Sequence, residues 1–252
     1  MRQIGRERKI GLARALSKLG HCSRSQASEL IRAGRVTLND KVRRNPETPT
    51  DLTQDHISVD NRLIKREQRA YLMFNKPRGL ITTASDEKGR DTVYKFLEQH
   101  SASWMAPVGR LDKASEGLLL FTNDSEWGAR ILAPETHLEK TYHVRVDATA
   151  NDALLAKLTN GMGTDSGWLR ARNARVIREG DRRTWLEIVL DEGKNRHIHR
   201  MFDHLGIEVL RLVRVAIGPL LLADLPKGGV RPLTKAEKAA LDHAMRVQRV
   251  SG

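Results

Sequence analysis

The residues best placed to do chemistry lie between Pro107 and Asp124. Gly109, Arg110 and Asp112 stand just ahead of Glu116 and Gly117, and the apolar run Leu118 to Phe121 then leads into Thr122, Asn123 and Asp124. A charged turn pressed against a core edge is costly unless its charges are paired, so Arg110 and Asp112 require a reason to be there. An aspartate in such a turn is either a cap or ion-pair partner, or a group meant to react. Asp112 with Glu116 could suggest the paired carboxylates of a glycosidase, but a strongly basic chain with 4% aromatic residues lacks the platforms on which sugars stack. His197, His199 and His204 could suggest zinc. The first two fall on different faces of a helix, however, and no cysteine or carboxylate cluster completes a set, so no metal is expected.

These residues need a scaffold, and the patterning supplies one. Leu118 to Phe121 reads as a buried strand that anchors the Asp112 turn. Tyr71 to Asn75 reads as another, turned by Lys76-Pro77-Arg78-Gly79 into a strand at Leu80 to Thr83. Asp91 can cap a short helix carrying Val93, Phe96 and Leu97, and Trp127 to Leu132 fits a second. Lys140 to Val146 alternates, with Tyr142, Val144 and Val146 on one face and Thr141, His143 and Arg145 on the other. Asn151 caps a helix bearing Leu154, Leu155 and Leu158, and the glycine-rich Gly161 to Gly167 reads as a hairpin turn, since it lacks the spacing of a phosphate-binding loop. Strands follow at Ala174 to Ile177 and Thr184 to Leu190. Ile198, Met201, Phe202 and Leu205 then mark one helical face, Glu208 to Ile217 a strand, and Lys235 to Val247 a terminal helix.

The N-terminal part is built differently. Residues 10 to 21 read as a helix stopped by Gly20. Ser23 and Gln26 form a capping-box pattern for a second helix that ends at Gly34, and Val36 to Val42 is a hairpin turning at Asn39-Asp40, with a further strand near His56 to Val59. Asn61 to Arg69 is polar and basic, as suits a linker. The chain therefore divides into a small helical and hairpin domain at 8–65 and a larger α+β domain at 70–248. Strands outnumber helices there without regular β-α-β alternation, so a mixed, largely antiparallel sheet is expected.

Composition bounds the function. The 252 residues carry 44 Lys and Arg against 31 Asp and Glu, a net charge of +13, which attracts polyanions and, in the cytoplasm, nucleic acid above all. The single cysteine, Cys22, fits a reducing compartment. No stretch is long and apolar enough to suggest a membrane span, and the first residues lack the apolar region of a signal peptide. A cytoplasmic protein with no membrane partner is expected.

Two resemblances sharpen this. Ser23-Arg24-Ser25-Gln26-Ala27, Ile31-Arg32-Ala33-Gly34-Arg35-Val36 and Asn39-Asp40-Lys41 resemble the S4 RNA-binding domain, which implies phosphate contacts from Arg24, Arg32, Arg35 and Lys41. Gly109-Arg110-Leu111-Asp112, Lys140-Thr141-Tyr142, Glu192-Gly193-Lys194-Asn195-Arg196 and Arg200-Met201-Phe202, with Asn75-Lys76-Pro77 and Arg211 through Leu220, resemble the pseudouridine synthases that modify small-subunit and large-subunit ribosomal RNA. That resemblance implies isomerisation of a uridine without a cofactor. Asp112 would be the nucleophile, Arg110 would fill the space of a flipped-out base, and Tyr142 would stack on that base. Lys140, Lys194, Asn195, Arg196 and Ile198 would bind substrate. The expected partner is ribosomal RNA, with the large subunit preferred, or an assembly intermediate, and the expected state is a monomer. A carboxylate nucleophile splits one difficult exchange into two steps and must be ionised to act, which a nearby cation favours. The family usually places Arg or Lys where this chain has His199. The cation facing Asp112 is then a protonated His199, or Lys194, Arg196 or Lys140, or else the histidine acts as a neutral donor. A noncatalytic RNA-binding or ribosome-assembly factor is the alternative of a different class.

Overall fold

The computed structural model describes residues 9–83, 89–97, 100, 104–164, 167–180 and 182–247. Its contacts divide the chain into two units. One comprises residues up to 70 with 101–106 and 122–125, and the other comprises the rest.

In the first unit β1 (Ile10–Gly11) pairs with β4 (Pro49–Thr50), and α1 (Leu12–Lys18) packs on α2 (Arg24–Arg32). The first helix is shorter at both ends than its apolar spacing predicts, because Ile10 and Gly11 are drawn into a strand and Leu19 already closes the helix ahead of the positive-φ Gly20. The capping box of α2 is reciprocal: the Gln26 amide donates to Ser23 Oγ at 3.2 Å and the Ser23 amide to Gln26 Oε1 at 3.0 Å. Strands β2 (Val36–Leu38), β3 (Lys41–Val42), β5 (Ile57–Val59) and β6 (Arg62–Leu63) form a small antiparallel sheet in the order β3-β2-β5-β6. Asn39 and Asp40 both have positive φ, the turn that matches strand twist. Leu12, Leu16, Ala27, Ile31, Val36 and Val59 close a core under the helices.

The second unit is built on one mixed sheet. Its strands are β7 (Tyr71–Lys76), β8 (Ala106–Val108), β9 (Glu116–Thr122), β10 (Lys140–Val146), β13 (Asn173–Arg178), β14 (Thr184–Leu190), β15 (Val209–Ile217), β16 (Leu220–Leu221) and β17 (Val230–Pro232). They run in the order β13-β14-β10-β15-β9-β7-β17, with β16 on β15 and β8 on β9. The pairs β13-β14, β14-β10, β10-β15, β15-β16 and β7-β17 are antiparallel, while β15 and β9 run parallel, with Val213 facing Glu116 and Arg214 facing Gly117. Helices α3 (Ser125–Leu132), α4 (Asp152–Asn160), α5 (His197–His204) and α6 (Lys235–Val247), the hairpin of β11 (Met162–Thr164) with β12 (Gly167–Leu169), and 3₁₀ turns at Val93–Phe96 and Pro134–Thr136 complete the described elements. Val144, Leu186, Ile188 and Leu212 form one core with Leu158 of α4 and Ile198, Met201 and Phe202 of α5. Leu118, Leu120, Trp127, Ile131, Leu241 and Met245 form another.

Two local expectations fail for one reason. Leu80 to Thr83 is not a strand; only Ile81 makes a bridge, to Thr92. The segment at Val93–Phe96 is a single 3₁₀ turn, with no side-chain cap at its first position. Ile81 donates to the Asp91 carbonyl and accepts from the Val93 amide, so the backbone that would have entered a longer ladder or helix is spent on that bridge.

Candidate active site

The Asp112 turn is held from several sides. Lys76, the last residue of β7, has a side chain with no exposure at all. Its ammonium donates to the carbonyls of Ser115 at 2.8 Å, Asp112 at 3.0 Å and Pro77 at 3.3 Å. The Gly79 amide donates to the Lys113 carbonyl at 2.7 Å, and the Ser115 amide to the Asp112 carbonyl at 3.0 Å. Thr82 brackets Leu111, its hydroxyl donating to the Leu111 carbonyl at 2.8 Å and accepting from the Leu111 amide at 3.3 Å. Beyond the turn, all seven residues of β9 are buried. The aspartate thus stands on backbone fixed by a buried cation, a hydroxyl and a core strand.

All of these partners take backbone atoms. Among the described residues nothing hydrogen-bonds or ion-pairs with the Asp112 carboxylate, which is half-buried. Arg110 is exposed and makes no ion pair with it. Glu116, four residues on, is in the opposite situation. It is 4% exposed and gripped by Arg211 through Nε at 3.0 Å and Nη2 at 2.9 Å, and by Lys227 at 2.8 Å. Burial alone would raise its pKa, but these cations hold it below the ordinary glutamate value. Glu116 is therefore a fixed anion and not a proton donor, which removes the glycosidase pairing on chemical grounds.

Buried positive charge lies beside the Asp112 turn in Lys76, which in turn couples to Arg214. Lys76 is pushed down from 10.5 to about 8 by burial, with Asp112 and Glu116 opposing the fall and Arg214 adding to it. Lys140 is likewise lowered to about 8 by burial and by Arg214, against Asp191. Arg214 itself is 6% exposed; its Nε donates to the Leu118 carbonyl at 2.6 Å, while its Nη2 has no partner among the described residues. Gly117 makes this approach possible. At φ +102° it faces Arg214 so closely that a Cβ would lie 2.3 Å from the Arg214 carbonyl oxygen.

His199 lies on α5 within electrostatic reach of Asp112. Burial lowers its pKa below the ordinary histidine value, Arg196 lowers it further, and Asp112 and Asp203 only partly oppose them. That shift favours the neutral imidazole, the form in which His199 would act as a neutral donor. Lys76 is a buried cation in electrostatic contact with Asp112. Sequence reasoning treated Lys76 as part of a turn, although a lysine closing an apolar strand was a usable signal. Arg214 carried one too, since it occupies the core phase of β15 between Leu212 and Ala216.

The other expected residues are spread around this centre. Tyr142 is half-buried against the core that holds α5, directly across from Arg214 in the sheet register. Lys194 donates to the Trp168 carbonyl at 2.9 Å and pairs with Glu192, while Asn195 and Arg196 are exposed, Arg196 adopting a left-handed conformation at the start of α5. Ile198 points into the core, where it anchors α5 and is not available to substrate. In the first unit Arg24, Arg32 and Lys41 are exposed; Arg35 is exposed too, but its guanidinium fork is engaged by Asp60, with Nε to Oδ1 at 2.8 Å.

The carboxylate of Asp112 thus stands free of partners among the described residues, on a turn fixed between β8 and β9 by the buried Lys76 ammonium. The family model described as RNA pseudouridylate synthase matches residues 70–204. The chain belongs to the RNA pseudouridylate synthase family. An S4 domain model matches residues 10–57. A Bacillus subtilis protein named ribosomal large subunit pseudouridine synthase B is 34% identical over 92% of this chain and 97% of its own length. An Aquifex aeolicus protein named as an uncharacterized RNA pseudouridine synthase is 33% identical over 96% and 97%. The crystal structure of a pseudouridylate synthase superposes with a TM-score of 0.64 at 29% identity, covering 92% of this chain and 99% of that one. This pseudouridylate synthase therefore combines an S4 domain with a catalytic domain whose sheet is mixed, and no helix among its described residues is long and apolar enough to cross a membrane.

Proposed function

We propose that this enzyme isomerises a uridine of large-subunit ribosomal RNA, with Asp112 as nucleophile. The observation that carries the reading is the Asp112 carboxylate itself: it lacks any partner among the described residues, yet its backbone is held by the buried Lys76 ammonium. The large subunit is favoured because the Bacillus subtilis relative bears that name and aligns over nearly the whole of both chains. The target uridine leaves its stack, at a cost of a few kcal/mol unless the RNA is already loose there. Asp112 attacks the nucleoside and uracil departs; the ring turns and rejoins the sugar through C5. Overall one C–N bond is exchanged for a C–C bond, and the proton released from C5 is matched by the one gained at N1, so no cofactor is consumed. Tyr142 stacks on the ring, Arg110 occupies the vacated space, and Lys140, Lys194, Asn195 and Arg196 hold flanking RNA. A guanidinium suits the Arg110 role because it can stack and bind phosphate together. The S4 domain, at about residues 8–65, docks the RNA through Arg24, Arg32 and Lys41, while residues 70–248 carry the chemistry. The protein acts in the cytoplasm as a monomer, on free RNA or an assembly intermediate.

Complementation tests this. Large-subunit RNA from a strain lacking the gene should miss one pseudouridine, which the wild-type gene restores and the Asp112→Asn gene does not, although the variant still binds the RNA. Restoration by Asp112→Asn, or RNA with no missing modification, would favour a noncatalytic assembly factor.

A further inference from the structure

Across four neighbouring strands of the catalytic sheet the register places Arg178 beside Trp185, Trp185 beside Arg145, and Arg145 beside Arg211. With strands about 4.8 Å apart the row spans roughly 14 Å. It lies on the face of β10 and β14 opposite the one that Val144, Val146 and Leu186 bury in the core. Arg211 is committed to Glu116 through both Nε and Nη2, and its guanidinium also sits 5.8 Å from the centre of the Trp185 ring, which fixes that ring from one side. Beside the row a cleft of about 610 Å³ is lined by Arg145, Arg178, Arg182, Arg183 and Trp185, with Asp147 and Glu179. Arg183 donates to Asp147 at 3.0 Å. The guanidiniums of Arg145, Arg178 and Arg182 have no partner among the described residues.

Neither folding nor the candidate chemistry accounts for this arrangement. Three unpaired arginines gathered in one cleft repel one another and stabilise nothing in the free protein, whereas planar guanidinium forks match phosphate oxygens. A half-exposed tryptophan held among them offers the flat face on which a base stacks. We propose that this cleft is a second RNA-docking site, in which Arg145, Arg178 and Arg182 bind backbone phosphates and Trp185 stacks on an unpaired base. It uses none of the residues assigned to the reaction. The inference goes beyond the reaction proposed above and names a further stretch of the same RNA, outside the target nucleotide, as the ligand.

The test uses the full chain and a large-subunit RNA fragment, with affinity measured across a salt series. Each arginine lost from a phosphate contact flattens the salt dependence by about 0.7–0.9, so Arg145→Gln, Arg178→Gln and Arg182→Gln together should lower the slope by about two to three. KM should rise while kcat at saturating RNA stays within about twofold. Trp185→Leu should weaken binding about fivefold or more with the salt slope unchanged. Arg178→Gln with Arg182→Gln, both exposed, supplies the arm in which folding is not at risk. An unchanged slope and KM overturn the proposal, as does a fall in kcat alone. Equal competition by poly-glutamate of matched charge also overturns it, since the cleft would then read charge without a nucleic acid. If the wild type makes no pseudouridine but the slope still falls in the variants, the docking site stands and the proposed reaction does not.

Discussion

Lys76→Met tests how the Asp112 turn is held. The wild-type ammonium is taken out of water, and the net fall of its pKa from 10.5 to about 8, in which burial and Arg214 outweigh Asp112 and Glu116, corresponds to a cost of about 3 kcal/mol for holding it charged. Against this stand three hydrogen bonds from a charged donor, each contributing about 1.5–3 kcal/mol. Methionine fills much of the volume but leaves the Ser115 carbonyl without its buried donor, so a net loss of about 2 kcal/mol in unfolding free energy is expected from urea titration. Activity should fall further than stability accounts for, about tenfold to a hundredfold in kcat below the unfolding range, because the turn loosens and the charge beside Asp112 is gone. The pH dependence gives the sharper signature. The folded pKa of Lys76 lies below its unfolded value, so its destabilising contribution is fully present below pH 8 and is relieved as pH rises from about 8 to 10.5. Activity should move the opposite way, falling as the ammonium deprotonates through about pH 8. Lys140 titrates in the same range, so Lys140→Met is the necessary control. An alkaline fall in kcat that persists in Lys76→Met and vanishes in Lys140→Met would refute the assignment of Lys76 as the cation that matters.

His199→Ala should lower kcat yet leave the shape of the profile above pH 6.5 unaltered, because burial already holds that imidazole neutral; a wild-type rate that climbs toward acid pH and becomes flat in the variant would contradict this. Gly117→Ala should destabilise the fold by about 3 kcal/mol or more, or prevent expression of soluble protein, since its Cβ would meet the Arg214 backbone at 2.3 Å at a φ of +102°; a melting temperature within a few degrees of wild type would count against that packing. Ser23→Ala should cost about 1 kcal/mol through loss of the α2 cap, read by urea titration with RNA chemistry at saturation unchanged. Arg32→Ala should flatten the salt dependence of RNA binding by about one, and Arg35→Ala by less, because the Arg35 fork is engaged by Asp60; equal effects would mean that RNA displaces Asp60.

Local signals carried much of the fold. The Ser23 and Gln26 box, the Asn39-Asp40 turn, the Asn151 cap and the period of Ile198, Met201 and Phe202 each act within a few residues, so the chain states them directly. The order of strands was not stated anywhere. Pairing of β15 with β9 joins residues about a hundred positions apart, and only Gly117 and the misplaced Arg214 hinted at it. Leu80 to Thr83 looked like a strand because its composition suits one, but Thr82 was recruited to hold Leu111, a tertiary use that propensity cannot register.

The same distinction explains why the proposed nucleophile was legible and the buried cation beside its turn was not. Asp112 sits in a contiguous motif, and its partner was sought where the family keeps a basic residue, at position 199. What fixes the Asp112 turn comes instead from β7, 36 residues upstream, through a lysine whose ammonium binds carbonyl oxygens and leaves the carboxylate alone. That choice has a chemical consequence. A cation bonded directly to a carboxylate stabilises it as an anion but takes up lone pairs of the carboxylate itself. One bonded to the backbone of the same turn supplies field and position without occupying the attacking oxygen. If Lys76 supplies that field, position 199 need not carry charge, and the half-buried His199, whose pKa is lowered by burial, fits a carboxylate that stays open toward its substrate.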